Sequence, residues 1–444
     1  MNRLTVLFII VLGVCFAPSH SFGQHQSINT SKIDSLLDKL SGKNKFMGSV
    51  TIRKHDQILY SRACGFSDVQ GHLNATPETK YRIGSISKMF TATMIFQLIE
   101  EHKLSLETKL STYFSGIPNA DKITISDLLS HRSGIFNITE DSTYSEWHTA
   151  KQTQLAMLDR MKAHPSVFEP DTKTEYSNSN YILLGYILET ITGKSYADNL
   201  KTRIADKIGL KNTYYGNKTQ PSKNESFSYS LDDGRWTQEP ETDMSIPGGA
   251  GAIVSTPNDL THFITALFNG DLISKASLDS MTTIREGLGR GIFRIPFGTH
   301  TGFGHNGGID KFASGLSYFP DDSLSFAVCT NGLDYNLNAV AIGVLQICYN
   351  MPYEIPSLEE FAVDPKILKT YEGIYSSNGV PVKIKITIKN NKLTAQASGQ
   401  PPFPLDVVSN TEFRFNEAGI KISFKKEHEL VIEQGGQETI FSKE

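Results

Sequence analysis

The stretch Tyr81-Arg82-Ile83-Gly84-Ser85-Ile86-Ser87-Lys88-Met89-Phe90 sets a serine and a lysine three residues apart, where a turn gives way to an apolar run. Met89, Phe90, Ala92, Met94, Ile95, Phe96, Leu98 and Ile99 are apolar on almost every side, which predicts a helix buried nearly all round. Residues i and i+3 share a helix face, so Ser85 and Lys88 point the same way. Ser85 falls in the first turn, where unpaired backbone N–H groups and the helix dipole favour negative charge. A serine with a lysine in reach and a positive field for a developing oxyanion has the makings of an activated nucleophile. The pair alone is not specific, since ordinary composition yields roughly one or two S-x-x-K matches by chance in a chain this long. Ser423-Phe424-Lys425-Lys426 is such a match. It lies in the alternating run Ile420, Ile422, Phe424, a strand pattern that sends the two side chains to opposite faces.

Support for Ser85 comes from further along the chain. Glu175-Tyr176-Ser177-Asn178-Ser179-Asn180 precedes an amphipathic helix (Tyr181, Leu184, Ile187, Leu188, Ile191), placing Tyr176 and Asn178 on a polar loop beside a rigid neighbour. Asn180 or Ser179 serves as the expected N-cap. A second Y-x-N, Tyr215-Gly216-Asn217, has no helix after it and is set aside. Phe303-Gly304-His305-Asn306-Gly307-Gly308-Ile309 then leads into two strands, Ser314–Phe319 and Ser325–Cys329, joined at Pro320-Asp321-Asp322. Near the N-terminus, 48–52 and 57–60 form a hairpin through Lys54-His55-Asp56. A helix from Ala339 to Tyr349 closes this part of the chain.

Laid out in order, Ser85-Ile86-Ser87-Lys88, Tyr176-Ser177-Asn178 and His305-Asn306-Gly307 make the chain resemble the serine β-lactamase and penicillin-binding-protein superfamily. The tyrosine looks like the class C β-lactamases and their D-Ala-D-Ala carboxypeptidase and esterase relatives. H-x-G in place of K-x-G looks more like the carboxypeptidase and esterase branches. The resemblance runs from about Gly48 to Tyr349 and includes Leu128–Gly134. His300-Thr301-Gly302 also fits H-x-G; His305 is preferred for the Gly308 and the strand pair that follow it.

The resemblance implies an α/β (α+β) fold, with an antiparallel sheet flanked by helices plus a helical subdomain. It implies a serine hydrolase in which Ser85 is acylated while Lys88 and Tyr176 exchange its proton. Asn178 would bind the substrate amide, and His305 and Gly307 would complete a polar wall. The backbone N–H groups of Ser85 and Gly308 would form the oxyanion hole. No cofactor or metal is implied. The leading expectation is a D-alanyl-D-alanine carboxypeptidase or D-amino-acid-peptide hydrolase, with β-lactamase and carboxylesterase as alternatives within the fold. A catalytically silent binding or sensor protein is the alternative of another class.

Other segments set bounds. Met1-Asn2-Arg3 and the apolar stretch from Leu4 to about Ala17, with Ser21-Phe22-Gly23 before Gln24, read as a signal peptide at 1–23, hence a periplasmic or secreted protein. No later run is apolar enough to span a membrane. A formal net charge of −4 without long charge runs argues against a nucleic-acid partner; the expected partner is a small-molecule or peptide substrate. Cys64 and Cys329 sit in strand-like runs and read as buried thiols. Ile123–Gly134 reads as a short helix ended by Gly134, with His131 structural in role. Pro247-Gly248-Gly249-Ala250-Gly251 reads as a close-packed backbone wall, before a helix capped by Thr256 and begun by Pro257. The hydrolase domain is expected over 24–352 and a linker over 353–366. A small all-β domain follows at 367–444, with a hairpin turn at Asn390-Asn391.

Overall fold

The computed structural model describes residues 28–358, 363–377, 379–389, 392–415, 420–426, 428–434 and 437–444. The expected signal peptide and the Asn390-Asn391 turn lie outside the described residues. Helix α1 (Thr30–Gly42) opens the described chain, followed by β1 (Phe46–Lys54) and β2 (Gln57–Cys64). Then come α2 (Ser87–Glu100), α3 (Asn178–Thr192) and α4 (Pro257–Asn269). Strands β3 (Phe293–Phe297), β4 (His300–Ile309), β5 (Phe312–Phe319) and β6 (Leu324–Leu333) follow, with α5 (Leu337–Cys348) after them. The sheet order is β3-β4-β5-β6-β1-β2, all antiparallel, so the N-terminal hairpin docks on the last strand. The register brings Val50 opposite Val328 and Ser49 opposite Cys329.

Alternation along the central strands decides the layers. Val50, Ile52, Phe326 and Val328 face α1 and α5 in one core, while Ala327 and Cys329 face α2, α3 and α4 in another. Helix α2 is buried from Ser87 through Leu98, as its all-round apolar pattern predicts. Phe90 stacks on Phe263 of α4 with ring centroids 3.7 Å apart. Each such side chain removed from water contributes about 1.5–3 kcal/mol, which anchors the helix that carries Lys88. Cys64 and Cys329 are buried free thiols.

The expected antiparallel sheet flanked by helices is therefore present, and two local expectations are corrected. The helix predicted to end at Gly134 runs only from Ile125 to Leu129, started by a Thr124/Asp127 capping box. The chain reverses at His131, which takes φ 56°. Gly134 instead turns the chain against Phe168, whose carbonyl oxygen a Cβ would meet at 2.0 Å. At α3 the cap position belongs to Ser177, whose side chain makes no capping bond. The N–H of Asn178 is satisfied from another segment, by Asn137 Oδ1 at 3.0 Å.

The C-terminal region opens with a helix (Pro365–Tyr371) that sequence periodicity did not predict. A nine-stranded antiparallel sheet follows, whose two ends are Phe403–Pro404 and Asp406–Val407. Those edge strands are separated only by buried Leu405, so the sheet curls into a near-barrel. Among the described residues no helix is long and apolar enough to cross a membrane.

Candidate active site

Ser85 sits in a 3-10 turn, Gly84–Ile86, two residues before α2 begins at Ser87. Gly84 has φ +50°, and a Cβ there would lie 2.7 Å from the backbone N of Gly308 on β4. A Cβ on Gly307 would lie 2.0 Å from the Ile83 carbonyl oxygen. The turn and the strand therefore meet backbone to backbone, an approach only glycine allows. Ser314 on β5 fastens it, its hydroxyl donating to Ile83 O at 2.9 Å.

Lys88 lies on the first turn of α2 and is fully buried. Its Nζ is 3.0 Å from Ser85 Oγ, 2.8 Å from Asn178 Oδ1 and 2.8 Å from the Ala250 carbonyl oxygen. Burial without a facing carboxylate holds its pKa well below the ordinary lysine range. The backbone wall at Pro247–Gly251 is thus also a hydrogen-bond acceptor. Its Gly249 packs so closely on α3 that a Cβ would lie 2.5 Å from Tyr181 O.

Asn178 is the first residue of α3, one position inside the helix. Its Oδ1 receives Lys88, and its Nδ2 donates to Thr139 Oγ1 at 3.0 Å. The loop that supplies Thr139 is pinned to α3 by two residues expected to be caps. Ser179 Oγ accepts from Ile138 N and donates to Phe136 O, while Asn180 Oδ1 accepts from Ser133 Oγ. Tyr176 is mostly buried; burial raises its phenol, and a hydrogen-bonding interaction with Ser85 only partly offsets this. Lys88 Nζ stands 4.8 Å from its ring centroid. His131 stacks beneath Tyr176 with centroids 4.3 Å apart, and its Nδ1 accepts the Ser177 N–H at 3.1 Å.

His305 does not take its expected place on the cleft wall. It is 2% exposed, stacked on Phe293 at 4.2 Å, with its ring 6.3 Å from that of Tyr176. The reason is β3, a strand the sequence reading did not find, which lays Phe293 over it. His300, the alternative, lies away from this cluster, stacked on Tyr349 and paired with Asp322. Ser85, Lys88, Tyr176 and Asn178 are brought together, with Gly307 and Gly308 at the turn. Ser85, Asn178, Ala250 and Gly308 line a cleft of about 370 Å³, which Tyr144, His148, Thr242 and Asp310 also line. Sequence reasoning missed those last four lining residues and the Ala250 carbonyl. Nothing in residue type marks a backbone acceptor, and Asp310 looks like an ordinary hairpin residue.

Two buried imidazoles give this region a pH signature. Burial, the largest cause, pushes His305 down to about 3, and it lowers His131 as well. A histidine near 6.5 when unfolded and about 3 when folded contributes stability that is complete above 6.5 and is lost as pH falls toward 3. Between pH 6.5 and 5, wild type is expected to lose about 1.5–2 kcal/mol more than His305→Phe in denaturant titrations. Parallel pH profiles for the two proteins would contradict neutral burial of His305.

Comparison with known proteins adds four findings. A family model described as Beta-lactamase matches residues 33–345. Penicillin-binding protein 4* of Bacillus subtilis (strain 168) is 26% identical over 427 residues, covering 88% of this chain and 93% of that protein. The teichoic acid D-alanine hydrolase of Staphylococcus aureus is 28% identical over 241 residues, 54% of this chain; the chain spans only 58% of that relative's length. Among solved structures, the octameric penicillin-binding protein homologue from Pyrococcus abyssi superposes with a TM-score of 0.67 at 23% identity. That match covers 94% of this chain and 100% of the other, which shows a shared fold that includes the C-terminal region.

Proposed function

The chain belongs to the beta-lactamase family and is a serine hydrolase of the β-lactamase and penicillin-binding-protein superfamily, and from that premise we propose that Ser85 is acylated by D-amino-acid peptides, amides or esters. The observation that carries this reading is the buried Lys88 Nζ standing 3.0 Å from Ser85 Oγ, with the Asn178 and Ala250 oxygens as its other partners. A neutral amine has two N–H donors and one lone pair. The Asn178 and Ala250 oxygens take the two donors, so the lone pair is left for the Ser85 hydroxyl proton at 3.0 Å. Burial lowers the pKa of this lysine, which suits it to accept the serine proton.

In the proposed cycle Ser85 Oγ gives its proton to Lys88 Nζ and bonds to the substrate carbonyl carbon. The oxyanion rests on the N–H groups of Ser85 and Gly308. Tyr176, its phenol raised and therefore protonated, hands a proton to the departing amine or alkoxide and is reprotonated from Lys88. A water then attacks the acyl-enzyme with Lys88 again as base, returning Ser85. Asn178 is the amide donor for substrate once its Nδ2 leaves Thr139. His131 and His305 act through Tyr176, one stacked beneath its ring and one behind it. The D-amino-acid assignment is supported by the motif set and by the relative that hydrolyses D-alanine from teichoic acid. The apolar N-terminal stretch supports export to the periplasm or medium.

A fluorophosphonate probe tests the nucleophile, because it forms an Oγ–P bond with expulsion of fluoride only at an activated serine. The expected result is one adduct per chain, mapped by peptide mass to Ser85 and absent from Ser85→Ala. Labelling elsewhere, or equal labelling of both proteins, would remove Ser85 from the mechanism and leave the silent binding protein as the better reading.

A further inference from the structure

We infer that Thr139 is a specificity-determining residue: its hydroxyl occupies the Asn178 side-chain amide in place of a substrate carbonyl, so an acyl donor that uses Asn178 must first displace it. The inference rests on the reading of Ser85 as the acylated nucleophile and of Asn178 as the amide donor to substrate. Thr139 is half-buried and lines the cleft together with Ser85 and Asn178.

The hydrogen bonds around Asn178 fix the role of each partner. Its Oδ1 accepts from Lys88 Nζ at 2.8 Å, which assigns the other end of the amide, Nδ2, to Thr139 Oγ1 at 3.0 Å. The Thr139 hydroxyl hydrogen is used elsewhere, on Asn137 Oδ1 at 3.0 Å. Toward Asn178 the hydroxyl oxygen is therefore an acceptor, as a substrate carbonyl oxygen would be. Asn137 Oδ1 also accepts the Asn178 N–H at 3.0 Å, and Asn137 Nδ2 donates to Glu140 Oε1 at 2.8 Å. Asn137, Thr139 and Asn178 thus close a ring of hydrogen bonds at the cleft. The segment that carries the ring is pinned. Ile138 is fully buried, and its N–H donates to Ser179 Oγ, which donates in turn to Phe136 O. With the backbone held there, Asn178 is released by a turn of the Thr139 side chain between rotamers, not by the opening of a loop. A substrate carbonyl that takes over Nδ2 exchanges one neutral hydrogen bond for another, and removing the competitor is worth about two- to tenfold in affinity. An acyl donor without such a carbonyl gains nothing from the exchange.

The test uses the full-length protein with phenyl N-acetyl-D-alaninate and phenyl propionate, which differ only in the acetamido group. The quantity read is the ratio of their kcat/KM values, acetamido ester over propionate. Thr139→Val keeps the side-chain shape and removes the hydroxyl; it is expected to raise that ratio about two- to tenfold, mainly through a lower KM for the acetamido ester. Thr139→Ser keeps the hydroxyl and is expected to return the ratio to that of wild type. In an Asn178→Ala background, Thr139→Val is expected to leave the ratio where it was, because the effect runs through the Asn178 amide. A ratio that Thr139→Val leaves unchanged would overturn the inference, since a purely structural role moves both esters together. A lowered ratio would overturn it too, and would mean that Thr139 holds Asn178 in its working orientation. A change that persists in the Asn178→Ala background would overturn the route through that amide. If wild type takes the fluorophosphonate label but hydrolyses neither ester, protection from labelling by the same two esters is read instead, with the same expected changes. Absence of labelling at Ser85 would overturn the parent reading and this inference with it, whereas an unchanged ratio leaves Ser85 as nucleophile.

Discussion

Ser85→Ala is expected to lower kcat roughly 10⁴-fold or more, the scale on which removal of a covalent nucleophile acts. The fold should hardly register the change. The serine lies on a 3-10 turn kept in place by backbone contacts of Gly84 and by Ser314, not by its own hydroxyl. The loss of its hydrogen bond to Lys88 costs about 1 kcal/mol. Initial-rate assays with any substrate that turns over, paired with urea titrations, would check both halves. A variant within tenfold of wild type would exclude Ser85 as the nucleophile.

Lys88→Met is expected to lower kcat on the order of 10³-fold, within the range assigned to a positioned general base. Its effect on stability is the more diagnostic half. Burial lowers the Lys88 pKa in the folded chain, whereas the unfolded lysine titrates near its ordinary value. In the window between the lowered pKa and about 10.4, the unfolded state binds the extra proton, so wild-type stability rises with pH by up to about 1.4 kcal/mol per unit. Methionine fills a similar volume and has no proton to exchange. The stability difference between wild type and Lys88→Met should therefore move in favour of wild type as pH is raised from 7 toward 10. A constant difference would mean that Lys88 is charged in the folded protein, which would remove it as the resting base. The lone pair now assigned to Ser85 would then not exist.

How much of this was legible in the sequence depends on whether the information is carried by side-chain type or by backbone. Ser85, Lys88, Tyr176 and Asn178 could be picked out because spacing and local pattern mark them, and the fold brings all four within one cluster. The Ala250 carbonyl that completes the Lys88 environment could not be, since every residue has one. Strand β3 escaped because Pro296 lies within its five residues; the structure puts that strand at the sheet edge, where a missing N–H costs little. That omission carried a second error, because Phe293 on β3 is what withdraws His305 from the cleft. His131 was read as structural from its place near a helix end. Its stacking under Tyr176 is a tertiary contact that no local pattern encodes.

The pairing of β1 with β6 also bears on how the chain is made. Val50 cannot meet Val328 until nearly three hundred further residues have been synthesised. At ~5–20 residues per second this leaves roughly a quarter of a minute to a minute of waiting. During that interval β1 has β2 on one side and an unpaired, apolar edge on the other, a template for any strand that arrives first. The nascent hairpin is therefore the segment that a holding chaperone would most usefully cover, and the part of the chain from which misassembly during overexpression would begin.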